Sequence, residues 1–262
     1  MTRIIQFSDT HFSTDPELIE TRRRDMARAV AAINALQEQP ALVVHTGDAS
    51  NAGQEEEYAI IRAEMEKLNA PWVIVPGNRD SRARMRRAFG DLGWLPEEEG
   101  PLDFVVPVNE SLALVGFDSK GHRTNKGWAD EARAARLLVL LEEVKAAGRR
   151  AALAMHHPPY VLEEIPDPYQ YEPWEHAGAI TDVVRAAGNV SVLITGHAHR
   201  YIQGEAGGAP AHTITATASD LRKGPAKQLG DAVALLDYRF NAQGELLSAE
   251  PLVIGLTAQA AQ

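Results

Sequence analysis

The chain contains no cysteine, which excludes disulfides, cysteine-held zinc, iron–sulfur clusters and thiol catalysis. It also lacks any apolar run approaching the ~20 residues that a helix needs to cross a bilayer. Positive charge is in deficit: 26 Lys and Arg stand against 36 Asp and Glu, a formal charge of −10. A long nucleic acid is therefore not the expected partner, since its binders draw affinity from Lys and Arg on phosphates. A small phosphorylated substrate stays compatible, because bound cations can supply local positive charge. The first residues reach Asp9 without an apolar stretch long enough for a signal peptide, so the cytoplasm is the expected location. No Pro-, Gly- or Ser-rich linker divides the 262 residues. One α/β domain over residues 1–255 is expected, with 256–262 a tail. The segment after about residue 200 is a candidate cap or dimerisation element, which leaves room for a homo-oligomer.

Short apolar strands alternate with longer amphipathic segments, the pattern of a layered α/β domain. Strands are expected at 3–7, 41–45, 72–75, 111–117, 151–155 and 190–195, with further strand-like runs at 200–204, 211–217, 231–239 and 246–253. Helices are expected at 17–38, 54–68, a basic stretch ending at Ala88, 129–147 and 181–187. Residues 158–174 are too proline-dense for a helix and read as a loop.

Five of these strands end in the same kinds of residue. The order is Asp9-Thr10-His11, Gly47-Asp48, Gly77-Asn78, His156-His157-Pro158, then Gly196-His197-Ala198-His199. Each piece alone is weak, since Gly-Asp and Gly-Asn after a strand are usually turns. Ligands of open α/β sheets, however, bind beyond the carboxyl ends of strands. Five strands delivering Asp, Asn and His to one edge therefore point to a site. Nitrogen and oxygen donors without sulfur suit two divalent transition metals such as Mn, Fe or Zn. The glycine before Asp48, Asn78 and His197 is expected to permit a sharp bend that turns the next side chain inward. Phosphate-ester hydrolysis needs charge neutralised on the phosphoryl oxygens and a hydroxide at neutral pH. Two metals ~3.5–4 Å apart supply both.

In these motifs the sequence resembles the calcineurin-like metallophosphoesterase family, and particularly its bacterial cyclic-nucleotide phosphodiesterase branch. The matching text is Asp9-Thr10-His11, Gly47-Asp48-Ala49-Ser50-Asn51, Gly77-Asn78-Arg79-Asp80, His156-His157-Pro158-Pro159 and Gly196-His197-Ala198-His199. The resemblance implies a four-layer α/β/β/α sandwich with mixed central sheets and the site at the sheet edge. It further implies that Asp9, His11 and His199 hold one metal, that Asn78, His156 and His197 hold the other, and that Asp48 bridges them. Purple acid phosphatases, a related group, place a tyrosine where Asn51 stands, which speaks against an iron–tyrosinate site. The second departure is Arg79, which occupies the place of a family histidine that lies near the phosphate and is assigned to leaving-group protonation.

Other residues carry two readings each. Arg79 is the candidate catalytic and substrate-binding cation, whereas Arg82, Arg84, Arg86 and Arg87 read as a solvated helix face. His157 and His45 read as structural or supporting histidines. His122 either approaches substrate or is an ordinary loop residue. The loop bearing Tyr160, Tyr169, Tyr171 and Trp174 either walls the pocket, with Tyr160 or Trp174 stacking a nucleobase, or serves packing or a dimer contact. The expected activity is hydrolysis of small phosphodiesters, 3′,5′-cyclic nucleotides foremost. A phosphomonoesterase, or a hydrolase of glycerophosphodiesters or phosphonate esters, is the alternative within enzymes. A catalytically silent scaffold is the alternative outside them.

Overall fold

The computed structural model describes residues 1–122, 124–163 and 165–255; the expected tail at 256–262 lies outside them. Eleven strands and five α-helices follow one another as β1 (Thr2–Phe7), α1 (Ile19–Asn34), β2 (Leu42–His45), α2 (Glu55–Met65), β3 (Trp72–Ile74), α3 (Arg82–Phe89), β4 (Phe104–Pro107), β5 (Leu112–Gly116), α4 (Glu131–Ala146), β6 (Arg150–Ala154), α5 (Glu175–Ala187), β7 (Val190–Thr195), β8 (Ile202–Ala206), β9 (Ala209–Thr213), β10 (Val233–Phe240) and β11 (Leu246–Ile254). They form a five-stranded sheet in the order β11-β10-β1-β2-β3 and a six-stranded sheet in the order β4-β5-β6-β7-β9-β8. Both sheets are mixed. β1, β2 and β3 run parallel while β10 is antiparallel to β1, and β5, β6 and β7 run parallel while β4 is antiparallel to β5.

Period-two alternation assigns each face of the second sheet. Leu112, Leu114, Ala152, Ala154, Val192 and Ile194 pack into the core shared with the first sheet. The intervening Ala113, Val115, Ala151, Leu153 and Leu193 pack against α4 and α5. α1 and α2 cover the first sheet through residues such as Met26, Ile33, Tyr58, Ile61 and Met65, all fully buried. Each such side chain contributes about 1.5–3 kcal/mol of transfer free energy. The result is the expected four-layer α/β/β/α sandwich. A buried amide also joins the sheets: Gln6 donates to Thr46 Oγ1 (2.7 Å) and to the Thr195 carbonyl (2.8 Å), and accepts from Tyr238 OH (2.8 Å).

Several boundaries depart from expectation for local reasons. α1 ends at Asn34 rather than 38, and the Gln39 side-chain amide donates to the carbonyls of Asn34 (3.1 Å) and Leu36 (2.6 Å). α5 starts at Glu175, just past Pro173, instead of 181. β4 was not expected at all; it is a four-residue edge strand ending in proline. Residues 214–218 leave the β9 ladder to cross to the first sheet, where the Thr217 N–H donates to the Ser8 carbonyl (2.8 Å). The strands after residue 200 extend both sheets, with β10 paired to β1. No helix among the described residues is long and apolar enough to cross a membrane.

Candidate metal centre

The loops leaving β1 and β2 stay zipped beyond their strands. Asp9 N–H donates to the Gly47 carbonyl (3.0 Å), His11 N–H to the Asp48 carbonyl (2.9 Å), and Phe12 N–H to the Ala49 carbonyl (2.8 Å). To aim their side chains at one point, these loops adopt unusual backbone. The non-glycine residues with positive φ among those described are Asp9, His11, Asp48, His197 and His199, with φ between 41° and 72°. Such conformations cost about 1–3 kcal/mol each and persist only where surrounding structure enforces them. All five are expected metal ligands. Of the three glycines expected to bend the chain, one does so and two act differently. Gly47 has φ of +97°, so it is the bend. Gly77 and Gly196 are instead sites of close approach: a Cβ would lie 2.1 Å from Asp48 N at Gly77 and 2.3 Å from Ser8 Oγ at Gly196.

Two donor groups result. In one, His199 Nε2 lies 3.2 Å from Asp9 Oδ1 and 3.3 Å from His11 Nε2, which is 3.7 Å from the same carboxylate oxygen. In the other, His156 Nε2 lies 3.1 Å from Asn78 Oδ1 and 3.2 Å from His197 Nδ1. Asp48 stands between them, with Oδ2 3.5 Å from His11 Nε2 and 3.6 Å from His156 Nε2. The structure thus brings all seven expected ligands together.

The far atoms of these groups are fixed. His156 Nδ1–H donates to the Thr46 carbonyl (2.8 Å) and His199 Nδ1–H to the Leu221 carbonyl (3.0 Å), so each points its Nε2 at the centre. Asp9 Oδ2 accepts the His197 N–H (3.1 Å) and Asp48 Oδ1 accepts the Arg79 N–H (2.7 Å), leaving the other oxygen of each facing inward. Asp9 Oδ1 is fully buried without a hydrogen-bond partner. An ionised oxygen in that position calls for a cation. Burial pushes the Asp9 carboxyl up, but the His199, His11 and His156 rings outweigh it and hold it well below the usual range. Burial likewise raises Asp48, yet His156 and His11 bring it down to about 2. The donor set, its converging ring nitrogens and an orphaned buried oxygen all fit divalent transition metals.

A buried network fastens the loops. Asp80, at the end of the Gly77-Asn78-Arg79-Asp80 motif, accepts the N–H groups of Ala49 (3.2 Å), Ser50 (3.1 Å) and Gly77 (2.9 Å) and the Tyr58 hydroxyl (3.0 Å). His45 Nδ1 accepts the Gly47 N–H (3.2 Å), and its Nε2 meets Thr10 Oγ1 (3.1 Å). His157 lies beside the second group, but both ring nitrogens are engaged, with Ser119 Oγ (2.9 Å) and the Asn125 carbonyl (3.2 Å). It acts as a rigid neighbour of the His197 ring, 4.5 Å between centroids.

Around the rim, the Arg79 side chain is exposed. Of the other arginines only Arg87 is exposed as expected, 3.7 Å from the exposed Glu55; the remaining three are engaged. Arg82 clasps Asp118 (2.5 and 2.9 Å), Arg84 donates to the Gly53 carbonyl (2.7 Å), and Arg86 to those of Pro96 and Gly100. Tyr160 does not wall the mouth: it is buried, its hydroxyl bonds Thr213 Oγ1 (2.5 Å), and its ring covers Gly204. That packing leaves no free face for a nucleobase. Tyr171 is also buried and donates to the His157 carbonyl (3.1 Å). Trp174 is half-buried, edge-on to exposed Tyr169 at 5.0 Å. His122 is exposed and edge-on to Trp128 at 5.9 Å. Sequence reasoning passed over Lys120, whose Nζ donates to the Asn78 carbonyl (2.5 Å). It sits 42 residues away in a loop without motif character.

A sequence model of the calcineurin-like phosphoesterase family matches residues 2–201. A probable glycerophosphodiester phosphodiesterase of Arcobacter nitrofigilis is 28% identical over 202 residues, 75% of this chain and 71% of its own. A probable cyclic nucleotide phosphodiesterase of Rhodopseudomonas palustris is 28% identical over 220 residues, 80% of this chain and 76% of its own. Among solved structures, a dimetal phosphatase from Danio rerio superposes with a TM-score of 0.67, covering 98% of this chain and 99% of that one at 14% identity. That last likeness speaks of the fold alone.

Proposed function

The chain belongs to the calcineurin-like phosphoesterase family and is a metal-dependent phosphoesterase, and on that premise we propose that it hydrolyses small phosphodiesters at a binuclear centre, 3′,5′-cyclic nucleotides foremost. The observation that carries the binuclear reading is the Asp48 carboxylate, whose Oδ2 lies 3.5 Å from a donor of one group and 3.6 Å from a donor of the other. Asp9, His11 and His199 would hold one ion in this reading and Asn78, His156 and His197 the second, with Asp48 shared between the two groups. Mn, Fe or Zn bound there would supply charge neutralisation for the phosphoryl oxygens and acidify a water.

The chain's own residues then orient the ester. Arg79 leaves a planar fork of donors at the rim, a geometry suited to two phosphoryl oxygens. A guanidinium keeps its charge and does not serve as an acid near neutrality. Its task is to hold negative charge as the ester bond breaks, and the leaving-group proton comes from solvent or another group.

The likeness to a probable glycerophosphodiester phosphodiesterase favours a second substrate reading, in which one of the two ester substituents is glycerol. The test is a kcat/KM panel with added Mn, covering cyclic nucleotides, glycerophosphodiesters, simple diesters and their monoesters. Diesters should be preferred over the matching monoesters, and chelation should abolish turnover. Preference for monoesters overturns the reading. Metal binding without turnover of any ester makes the chain a silent scaffold.

A further inference from the structure

A cavity of about 250 Å³ is lined by Arg82, Lys120, His122, Trp128, Asp130 and Arg133 among others, and Lys120 ties it to the loop of Asn78. Its walls are rigid. Arg82 is fastened to Asp118 and to the Lys120 carbonyl (2.6 Å), while Arg133 is fastened to Asp103 and to the Asp118 carbonyl (2.8 Å). The half-buried Trp128 ring stands steeply inclined to those of His176, 4.3 Å between centroids, and His122, at 5.9 Å. Lys120 is the side chain that the cavity and the metal centre share. Its ammonium donates to the main-chain oxygen of Asn78, the residue whose side-chain oxygen faces His156. An ammonium has three donors. Among the described residues the Asn78 carbonyl is the one acceptor it meets, and no carboxylate pairs with it.

We propose that this cavity is a substrate subsite that receives the organic substituent of the phosphate ester, with Trp128 selecting planar heteroaromatic groups and Lys120 contacting the ester where it enters. The inference rests on the phosphoesterase reading above and adds which part of the chain sets substrate preference. The volume is below the ~300–1,000 Å³ of pockets that enclose a whole small ligand, so it suits one substituent while the phosphoryl group stays at the metals. An indole wall beside an unspent ammonium suits a ring that carries hydrogen-bond acceptors.

The test measures binding, so that it does not depend on turnover. Mn-loaded protein is titrated calorimetrically with adenosine 5′-monophosphate and, separately, with inorganic phosphate. Wild type should bind the nucleotide more tightly than phosphate. Trp128→Ala should weaken the nucleotide about tenfold, the scale of one lost stacking contact, and leave phosphate within twofold. Lys120→Met should weaken the nucleotide by a similar factor with metal content unchanged, and it carries the test alone if Trp128→Ala does not fold. Equal affinity of wild type for nucleotide and phosphate overturns the subsite. So does nucleotide binding unchanged in Lys120→Met, or an equal loss for both ligands in Trp128→Ala. Failure of the diester panel with this binding pattern intact would sink the activity and leave the subsite standing.

Discussion

The two sheets furnish the centre with different chemistry. The sheet of β1, β2 and β3 delivers Asp9, His11, Asp48 and Asn78, and so all of the oxygen donors. The loops after β6 and β7 deliver His156, His197 and His199, imidazoles alone. One residue of each set is fixed by a partner from the other sheet. Asp9, on the first sheet, accepts its N–H from His197 on the second. His156, on the second, donates to the Thr46 carbonyl on the first. Neither sheet can present its half of the centre in working order alone. The inter-sheet core therefore does more than stabilise, because it sets the ligand geometry.

The largest expected effect breaks the symmetry of that arrangement. Asp48→Asn removes the one carboxylate that faces both donor groups, whereas His197→Ala removes a donor from one. Metal stoichiometry, measured by elemental analysis, should fall toward zero in Asp48→Asn and toward one ion per chain in His197→Ala. Loss of several kcal/mol of charge stabilisation corresponds to about 10³-fold or more in kcat for Asp48→Asn. Equal metal loss in both variants would mean that Asp48 serves a single ion.

Next in size is Arg79, on the oxygen-rich side but outside the buried floor. Arg79→Ala should lower kcat about 10²–10³-fold at saturating metal, and Arg79→Lys should recover little of it. Metal content should not change. A kcat within a few-fold of wild type would make the exposed side chain a bystander.

A smaller effect is expected one step behind the ligands. Asp80 gathers three N–H groups and the Tyr58 hydroxyl, pinning the loop of Asp48 to that of Asn78. Asn at this position would turn donors toward donors. Asp80→Asn should cost about 10–100-fold in metal affinity or activity, the usual range for groups that orient ligands. Metal affinity equal to wild type would mean that the two loops hold themselves.

The candidate ligands were legible in the sequence because Asp, Asn and His recur at strand ends, and a parallel sheet places such ends on one edge. Their fixation was not, since the Thr46 and Leu221 carbonyls are main-chain atoms that no residue type announces. The same limit explains the arginines of α3, whose acceptors are chiefly distant carbonyls, and Lys120, which finds Asn78 across 42 residues. Tyr160 misled because an aromatic ring following a ligand serves a pocket or a core equally well. Only Gly204 and Thr213, from other strands, decide for the core. β4 escaped notice because four residues ending in Pro107 carry too little period.

The smallest effect concerns His45, on the first sheet, whose ring supports the Gly47 bend without facing a metal. Gly47 N–H can only donate, so Nδ1 must accept, and Nε2 carries the proton toward Thr10 Oγ1. Thr10 in turn donates to the Ala49 carbonyl (2.9 Å). A second proton would sit on Nδ1 against the Gly47 N–H, inside a fully buried pocket. Burial accordingly holds the folded pKa at about 3 against an ordinary 6.5. The unfolded chain therefore binds this proton more readily between pH 6.5 and 3. The stability linked to the neutral ring is fully present above pH 6.5 and is lost as pH falls toward 3. His157 and His197 are also held down by burial and add to the same acid limb. His45→Asn keeps an acceptor near the Gly47 N–H and removes the titration. In chelator, from pH 7.5 to 4.5, its unfolding free energy should fall less steeply than that of wild type, by about 1.4 kcal/mol per pH unit below 6.5. At pH 7.5 it should be less stable, having lost the ring's contact with Phe7, edge-on at 4.8 Å. Parallel acid limbs for the two proteins would show that His45 is not neutral in the fold, or that its proton is compensated elsewhere.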